Sequence, residues 1–539
     1  MKKQAYVATI LSAAVFLAAC EGDDGLNGID GANGANGSDG FNSLVATRDI
    51  PKGDAVCLGG GLALDSGLDT NRNDILDPSE VTATELLECE ATPQLRALHA
   101  SPDAPAVNIW VNDAPALLGV DYTQGSGFVP VVEDNNVKVE AIFPGDDPAV
   151  IDLPAVVIDA DLPTLDYNTE TTVIAIDDVA GPVRPLVITN DTDNRITDGF
   201  FRAQVVHAAQ GAPAVDVFVT ALGADLTTAI PVNGQGTAVP FEAVDLQREF
   251  PAGDYQIRIT PDDTPGTVVY DSGEITLGAG ADLMIVAVDN TGPGDALVQL
   301  VVLDGTAAST LYDTNTTASA VAVHLSPDAP AVDILADDNT TTAVEAIALV
   351  QNVSFTEFCD INFVPAPGDY TVNVALNSDN STIATSFPLN VTKGDEALAI
   401  VTGFAGGGTP AIAPIALAGN TRSVITETKL RITHASPSTD LVDIYLVADG
   451  TDINTVDPDF ANIPFGADTT QLSIAPGNYD AYVTGAGSKT PAISLTDDAV
   501  MNWTGGEVLD VIARDPAAGE TGPQALLIDY STNIACPTP

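Results

Sequence analysis

Positive charge is scarce in this chain: 18 lysines and arginines face 75 aspartates and glutamates over 539 residues, a net charge of −57. Such a surface repels polyanions, which excludes DNA, RNA and anionic lipid headgroups as partners. Tryptophan is reduced to Trp110 and Trp503, too few for recurring aromatic platforms. One apolar run, Ala8 to Ala19, is too short to span a bilayer as a stable helix, and no later segment reaches the roughly 18 uninterrupted apolar residues required. The patterns that announce enzymes are missing as well. There is no G-x-S-x-G elbow, no H-E-x-x-H, no P-loop and no cysteine–histidine pair in a catalytic context. Paired carboxylates arise by chance among so many acids, so the sequence predicts a protein that is not an enzyme.

The chain has only four histidines, and each opens the same phrase: HASPDAPAVNIWV from His99, HAAQGAPAVDVFV from His207, HLSPDAPAVDILA from His324 and HASPSTDLVDIYL from His434. Spacings of 108, 117 and 110 residues are those of a single-domain module repeated four times. After each histidine, apolar residues alternate: Val107, Ile109, Val111; Val215, Val217, Val219; Val332, Ile334, Ala336; Val442, Ile444, Leu446. With Asn108, Asp216, Asp333 and Asp443 between them, this period of two predicts a strand with one polar face. A later phrase, Pro251 to Tyr255, Pro367 to Tyr370 and Pro476 to Tyr479, opens another alternating strand; the first repeat has Val137 where the tyrosine would fall. Many short strands with turn residues between them predict an all-β chain of four tandem β-sandwiches.

The histidines themselves read as structural. Residues two and four before each one are apolar or small and share its strand face, while Arg96, Gln204 and Arg431 on the opposite face suggest solvent. The ring is expected at the core edge with a nitrogen bonded to the following turn. One histidine per module does not assemble a zinc shell.

At the N-terminus, Lys2 and Lys3 precede the apolar run, which ends in small residues as a signal peptide does, predicting removal of residues 1–19. Leu17-Ala18-Ala19-Cys20 resembles the lipobox of bacterial lipoproteins, which implies lipidation of Cys20. Glu21, in place of the aspartate that often retains such proteins at the inner membrane, points to an outer-membrane anchor with the body exposed at the cell surface. From Gly22 to Gly40, glycine stands at every third position and Asp or Asn ends each triplet. This tract resembles the short collagen-like segments of surface lipoproteins. Without proline it reads as a flexible spacer, residues 20–43, with a homotrimeric stalk as the less favoured alternative.

Residues 44–92 carry the one motif with recognisable chemistry. DTNRNDILDPSE places side-chain oxygens of Asp69, Asn71, Asn73, Asp77 and Glu80 at positions 1, 3, 5, 9 and 12, with the Ile75 carbonyl at position 7, the ligand positions of an EF-hand calcium loop. Asp74 replaces the usual glycine. The incoming flank reads as strand and turn, and Ser79 to Glu88 as a short exit helix. The competing reading is an acidic turn that satisfies its own backbone. Cys57 and Cys89 bracket the loop and, in an exported protein, are expected to form a disulfide; Cys359 and Cys536 can form another. The whole block resembles a small module that follows collagen-like tracts in other bacterial lipoproteins.

The phrase H-x-S-P-D-A-P-A-V-D and the P-G-D-Y strand, repeated behind a lipobox, resemble the bacterial domain-of-unknown-function family numbered 4397, over about residues 95–539. The resemblance implies immunoglobulin-like sandwiches at 93–199, 200–316, 317–427 and 428–539, outside the cell, and no established reaction. The second repeat departs from it at Ala209-Gln210-Gly211 and the fourth at Ser438-Thr439. The expected function is adhesion to an extracellular polymer or another cell, or a structural envelope role, with structural calcium near the base. Capture of a carbohydrate or small nutrient is the alternative, and an exported hydrolase a more distant one.

Overall fold

The computed structural model describes residues 40–539 except 58, 90–91, 132–135, 145, 147–154, 162–168, 178–182, 192–194, 235, 237, 263, 339–346, 364–366, 377–378, 497–500, 533 and 535–539. The expected signal peptide, Cys20, most of the glycine tract and Cys536 therefore lie outside the described residues. The chain is all-β and divides into two compact units, one comprising residues up to Asp49 with Leu62–Leu87, the other Ile50–Gly61 and the chain from Glu88 onward. No helix among the described residues is long and apolar enough to cross a membrane.

The first sheet has three strands in chain order: Ser43–Ile50, Gly61–Leu68 and Val81–Cys89. The exit segment predicted as a helix is thus a strand. Val81, Thr82 and Thr84 are β-branched, and pairing with Gly61–Leu68 uses backbone groups that a helix would have kept to itself.

Each of the four repeats in the large unit is a β-sandwich built on the same two strand pairings, although the second has five strands in its histidine sheet and three in the other. The strand carrying the histidine (Gln94–His99, Phe200–His207, Ala318–Leu325, Thr428–His434) pairs in parallel with a late strand (Thr169–Ile176, Asp282–Asp289, Glu396–Thr402, Val508–Arg514). The next strand (Val107–Val111, Val215–Thr220, Val332–Asp337, Val442–Ala448) lies in the second sheet, antiparallel to the strand opened by the later phrase (Asn136–Ala141, Gly253–Pro261, Gly368–Leu376, Gly477–Gly485). The alternating apolar residues face inward and build one core per repeat, around Val107 and Ile109, Val215 and Val217, Val332 and Ile334, and Val442 and Ile444.

Two further cores join the repeats. Leu98, Ile174 and Ile176 of the first repeat pack against Val206, Met284, Val286 and Val301 of the second, and Val321, Val323 and Ile400 of the third pack against Ala435, Ile512 and Ile528 of the fourth. The repeats are therefore fused in pairs through the outer faces of their histidine sheets. This explains why the parallel strands are buried on both sides and read as nearly continuous apolar runs. It also corrects the reading of the polar alternates. Arg96, Gln204 and Arg431 are 5%, 6% and 3% exposed because their face meets a sister repeat and not solvent. Arg96 donates to Thr172 Oγ1 (2.8 Å) and lies over the Phe128 ring, Gln204 exchanges hydrogen bonds with Asn190 of the first repeat, and Arg431 pairs with Asp510.

Candidate functional site

The four histidine turns share one geometry. Ring Nε2 bonds the carbonyl oxygen six residues on, of Pro105 (2.9 Å), Pro213 (3.0 Å), Pro330 (3.1 Å) and Asp440 (2.9 Å). Because a carbonyl only accepts, Nε2 carries the proton. In three repeats Nδ1 accepts the N–H two residues on, of Ser101 (3.2 Å), Ala209 (3.3 Å) and Ser326 (3.3 Å); in the fourth it has no partner among the described residues. All four rings are about 1% exposed. Burial holds every one of them below the ordinary histidine range, His99 at about 4. The rings are neutral struts across a turn.

A partner that sequence reading missed completes the turn. An aromatic ring meets each histidine edge to face: Tyr122, Phe241, Phe355 and Phe465, at 6.2, 6.3, 6.4 and 6.2 Å between centroids. The following residue, Thr123, Glu242, Thr356 or Gly466, has φ between 66 and 85° and donates its N–H to the histidine carbonyl at 2.8 to 2.9 Å. An aromatic residue followed by a left-handed one is the available signal, yet three of the four left-handed residues are not glycine.

The recurring Asn and Asp residues are structural too. Asn108, Asp216, Asp333 and Asp443, expected on a polar face, are 1 to 6% exposed. In three repeats the side chain accepts the N–H of a left-handed residue at a bulge in the neighbouring strand: Gly119 (3.0 Å), Asn352 (2.7 Å) and Asn462 (2.7 Å). In the second repeat, Asn233 Nδ2 donates to Asp216 instead (3.0 Å). In those three repeats the side chain pins a bulge whose backbone the ladder leaves unpaired.

A second carboxylate ties the histidine loop to the end of its parallel partner strand, and its source changes between repeats. In the third, Asp328 accepts the N–H groups of Ala405 (2.7 Å) and Gly406 (2.8 Å) beyond that strand. In the second and fourth, which lack the S-P-D aspartate, the last residue of that strand or the one just after it supplies the carboxylate. Asp289 accepts from the N–H groups of Gln210 (3.0 Å) and Gly211 (2.9 Å), and Asp515 from Ser438 Oγ (2.7 Å) and from Ser436. The two departures from the phrase are thus compensated.

The tyrosines of the later phrase close the turn before their strand: Tyr255 donates to Pro251 O (2.7 Å) and Tyr479 to Ala475 O (2.8 Å). Both tryptophans are buried. Trp110 Nε1 donates to Glu140 (2.8 Å), and Trp503 stacks on Tyr479.

In the small module, a disulfide joins Cys57 and Cys89, whose Cα atoms are 5.5 Å apart. Inside it, Asp69, Asn71, Asn73, Asp77 and Glu80 converge in one network. Asp69 takes the N–H groups of Asn73 (3.0 Å) and Asp74 (2.9 Å). Asp77 Oδ2 takes both asparagine amides, at 2.6 and 3.0 Å. Glu80 Oε1 takes Thr70 Oγ1 (2.7 Å) and the N–H groups of Thr70 (2.8 Å) and Asn71 (3.1 Å). The Thr70 hydroxyl and these N–H groups, with that of Asp77, hold Glu80 below the ordinary carboxylate range against the effect of burial. Asp74, where a calcium loop turns on glycine, has φ of 58°. Gly67 passes so close to Glu80 that an added Cβ would lie 1.9 Å from its carbonyl oxygen. Ile75 is exposed and its N–H donates to Asn73 Oδ1 (2.8 Å). These bonds to the loop's own backbone are also those of a self-bonded acidic turn, and among the described residues no group of three or more His, Cys, Asp or Glu stands ready to hold a metal. Cys359 is buried in the third repeat's core and disulfide-bonded.

The family described as domain of unknown function (DUF4397) matches residues 93–218, 224–335 and 318–445, more than half of the chain. The chain belongs to the DUF4397 family. The first and third matches run past one repeat into the opening strands of the next, Val215–Thr220 and Val442–Ala448, across the seam where paired repeats share a core. A second family, domain of unknown function (DUF7151), matches residues 42–87, the segment of the Asp69–Glu80 loop. A search of curated proteins found no match.

Proposed function

We propose that this DUF4397 protein is a non-enzymatic surface lipoprotein, anchored to the outer membrane through Cys20, whose four sandwiches form an adhesive or structural scaffold. One observation carries the reading: the polar residues repeated in the sandwiches are spent on the fold itself, the histidines on turns and the acids on bulges and loop ties. A scaffold that presents a surface needs that, whereas a repeated reaction centre would hold such groups free. The acidic surface and the spacer suit exposure away from the membrane.

Calcium is proposed at Asp69, Asn71, Asn73, the Ile75 carbonyl, Asp77 and Glu80. In support, Asp69 and Glu80 are buried at 1% and 6% exposure, and among the described residues their hydrogen bonds come from backbone N–H groups and a threonine hydroxyl, with no cationic side chain. The ion would supply the missing positive charge, and the loop carries the left-handed turn at the position such sites require. The nutrient-capture alternative called for exposed aromatics, and Trp110 and Trp503 do not provide them.

The test is binding of the delipidated body, with and without calcium, to extracellular polysaccharides, to glycans and to intact cells, beside a hydrolase panel. Saturable retention on a polymer or cell with no turnover supports the reading; turnover of any substrate overturns it.

A further inference from the structure

The segment between the third and fourth repeats, residues 419–427, crosses to the first repeat. Arg422 Nη1 donates to the carbonyls of Pro102 (3.0 Å) and Ala104 (2.8 Å), its Nη2 pairs with Asp121, and its guanidinium lies over Tyr122. A cleft of about 540 Å³ opens there between the first repeat and this segment, walled by Phe143, Arg422, Glu427 and Lys429. Behind Phe143, which lines both spaces, lies an apolar chamber of about 290 Å³ bounded by Pro105, Val107, Val183 and Thr426.

The charges at the cleft are unequal. Arg422 is used up by Asp121 and two carbonyls. The ammonium of Lys429, a residue 7% exposed, makes among the described residues one hydrogen bond, to the neutral amide of Asn420 (3.0 Å), and no ion-pair contact with a carboxylate. A buried ammonium has three donors to satisfy and is costly to leave without a counter-charge. The Thr426 hydroxyl is buried without a partner among the described residues. Asp146, the remaining acid of the cleft, accepts the Phe143 N–H (2.8 Å).

We propose that this cleft binds a small amphiphilic organic anion, its carboxylate on Lys429 and its apolar body against Phe143 and the chamber behind it. The site does not rest on the adhesive reading, since it is argued from the cleft's own residues. Burial, and then the Arg422 charge, depress Lys429 to about 8, opposed by Asp121, Glu427 and Glu396; Glu427 is itself raised by burial. Carboxylate affinity therefore holds below pH 8 and declines above it, as the ammonium loses its proton.

The experiment is calorimetric titration of the full chain with acetate, butyrate, hexanoate and octanoate, and with 1-hexanol as the uncharged analogue. Affinity is expected to rise with chain length and to weaken about tenfold for octanoate in Lys429→Met, with recovery in Lys429→Arg and tightening in Glu427→Gln. Phe143→Ala flattens the chain-length dependence and serves also if Lys429→Met does not fold. The proposal is overturned by absence of octanoate binding at about 10 mM, by equal binding of acetate and octanoate, or by hexanol matching hexanoate.

Discussion

Arg431 and Asp510 are register partners on adjacent parallel strands of the fourth repeat and meet in two hydrogen bonds, of 2.6 and 3.0 Å, each side chain 4% exposed. The pair faces the third repeat, where Arg431 Nη1 also donates to Ala418 O (2.7 Å). Removing one partner strands a charge at the seam. Asp510→Asn is expected to cost about 3 to 5 kcal/mol in denaturant unfolding. Replacing both by apolar residues of similar volume is expected to recover much of the loss, and a double variant as damaged as the single one would contradict this account.

The neutral histidines make stability depend on pH in a fixed direction. In the unfolded chain each ring takes a proton near pH 6.5, whereas His99 folded refuses it until about 4 and the other three are lowered likewise. Between these values the unfolded state binds more protons, so stability falls as pH drops through that window, and is fully present above it. Tm measured from pH 7.5 to 4.5 is expected to decline most steeply below 6.5, and His99→Gln to lessen the slope while lowering Tm at neutral pH. A flat profile over that range would refute the burial of neutral rings.

Exchange of the loop carboxylate between Asp289 and Asp328 makes a paired prediction. Asp289→Asn in the second repeat and Asp328→Asn in the third remove the same kind of tie, a carboxylate across two backbone N–H groups. Each is expected to cost about 1 to 3 kcal/mol, read by chemical denaturation or by faster hydrogen exchange of the recipient N–H groups. Equal exchange rates in variant and parent would show that the tie contributes nothing.

For the loop at Asp69 to Glu80, millimolar calcium is expected to release or absorb heat with the parent chain, and Glu80→Gln to abolish the signal. At calcium one hundred times Kd the module gains about 2.7 kcal/mol of stability. Silence in the parent would leave the acidic turn as a self-bonded one.

Much of the sandwich was legible because alternation on Val107–Val111 and its three siblings survives intact, and the histidine phrase marks every copy. The second buried face was not. A lone polar residue on a strand, such as Arg96 or Gln204, looks the same whether water or a neighbouring domain satisfies it. For Gln204 the partner, Asn190 of the first repeat, reveals which, and for Arg96 the packing of its sheet face against the second repeat does. The aromatic companions of the histidines escaped for another reason: Tyr122, Phe241, Phe355 and Phe465 follow at 23, 34, 31 and 31 residues, so loop length hides a fixed contact. The short exit strand of the calcium-type loop was misjudged because helix and strand patterns are hard to separate over nine residues.

The grip of Arg422 on Pro102, Ala104 and Asp121 joins positions some 300 residues apart in the chain. Tension applied between the first and fourth repeats is then shared by this clasp, which bypasses the chain path through the second and third repeats. A protein pulled at its base while holding something at its far end would load the clasp, and could re-form the grip once the pull relaxed.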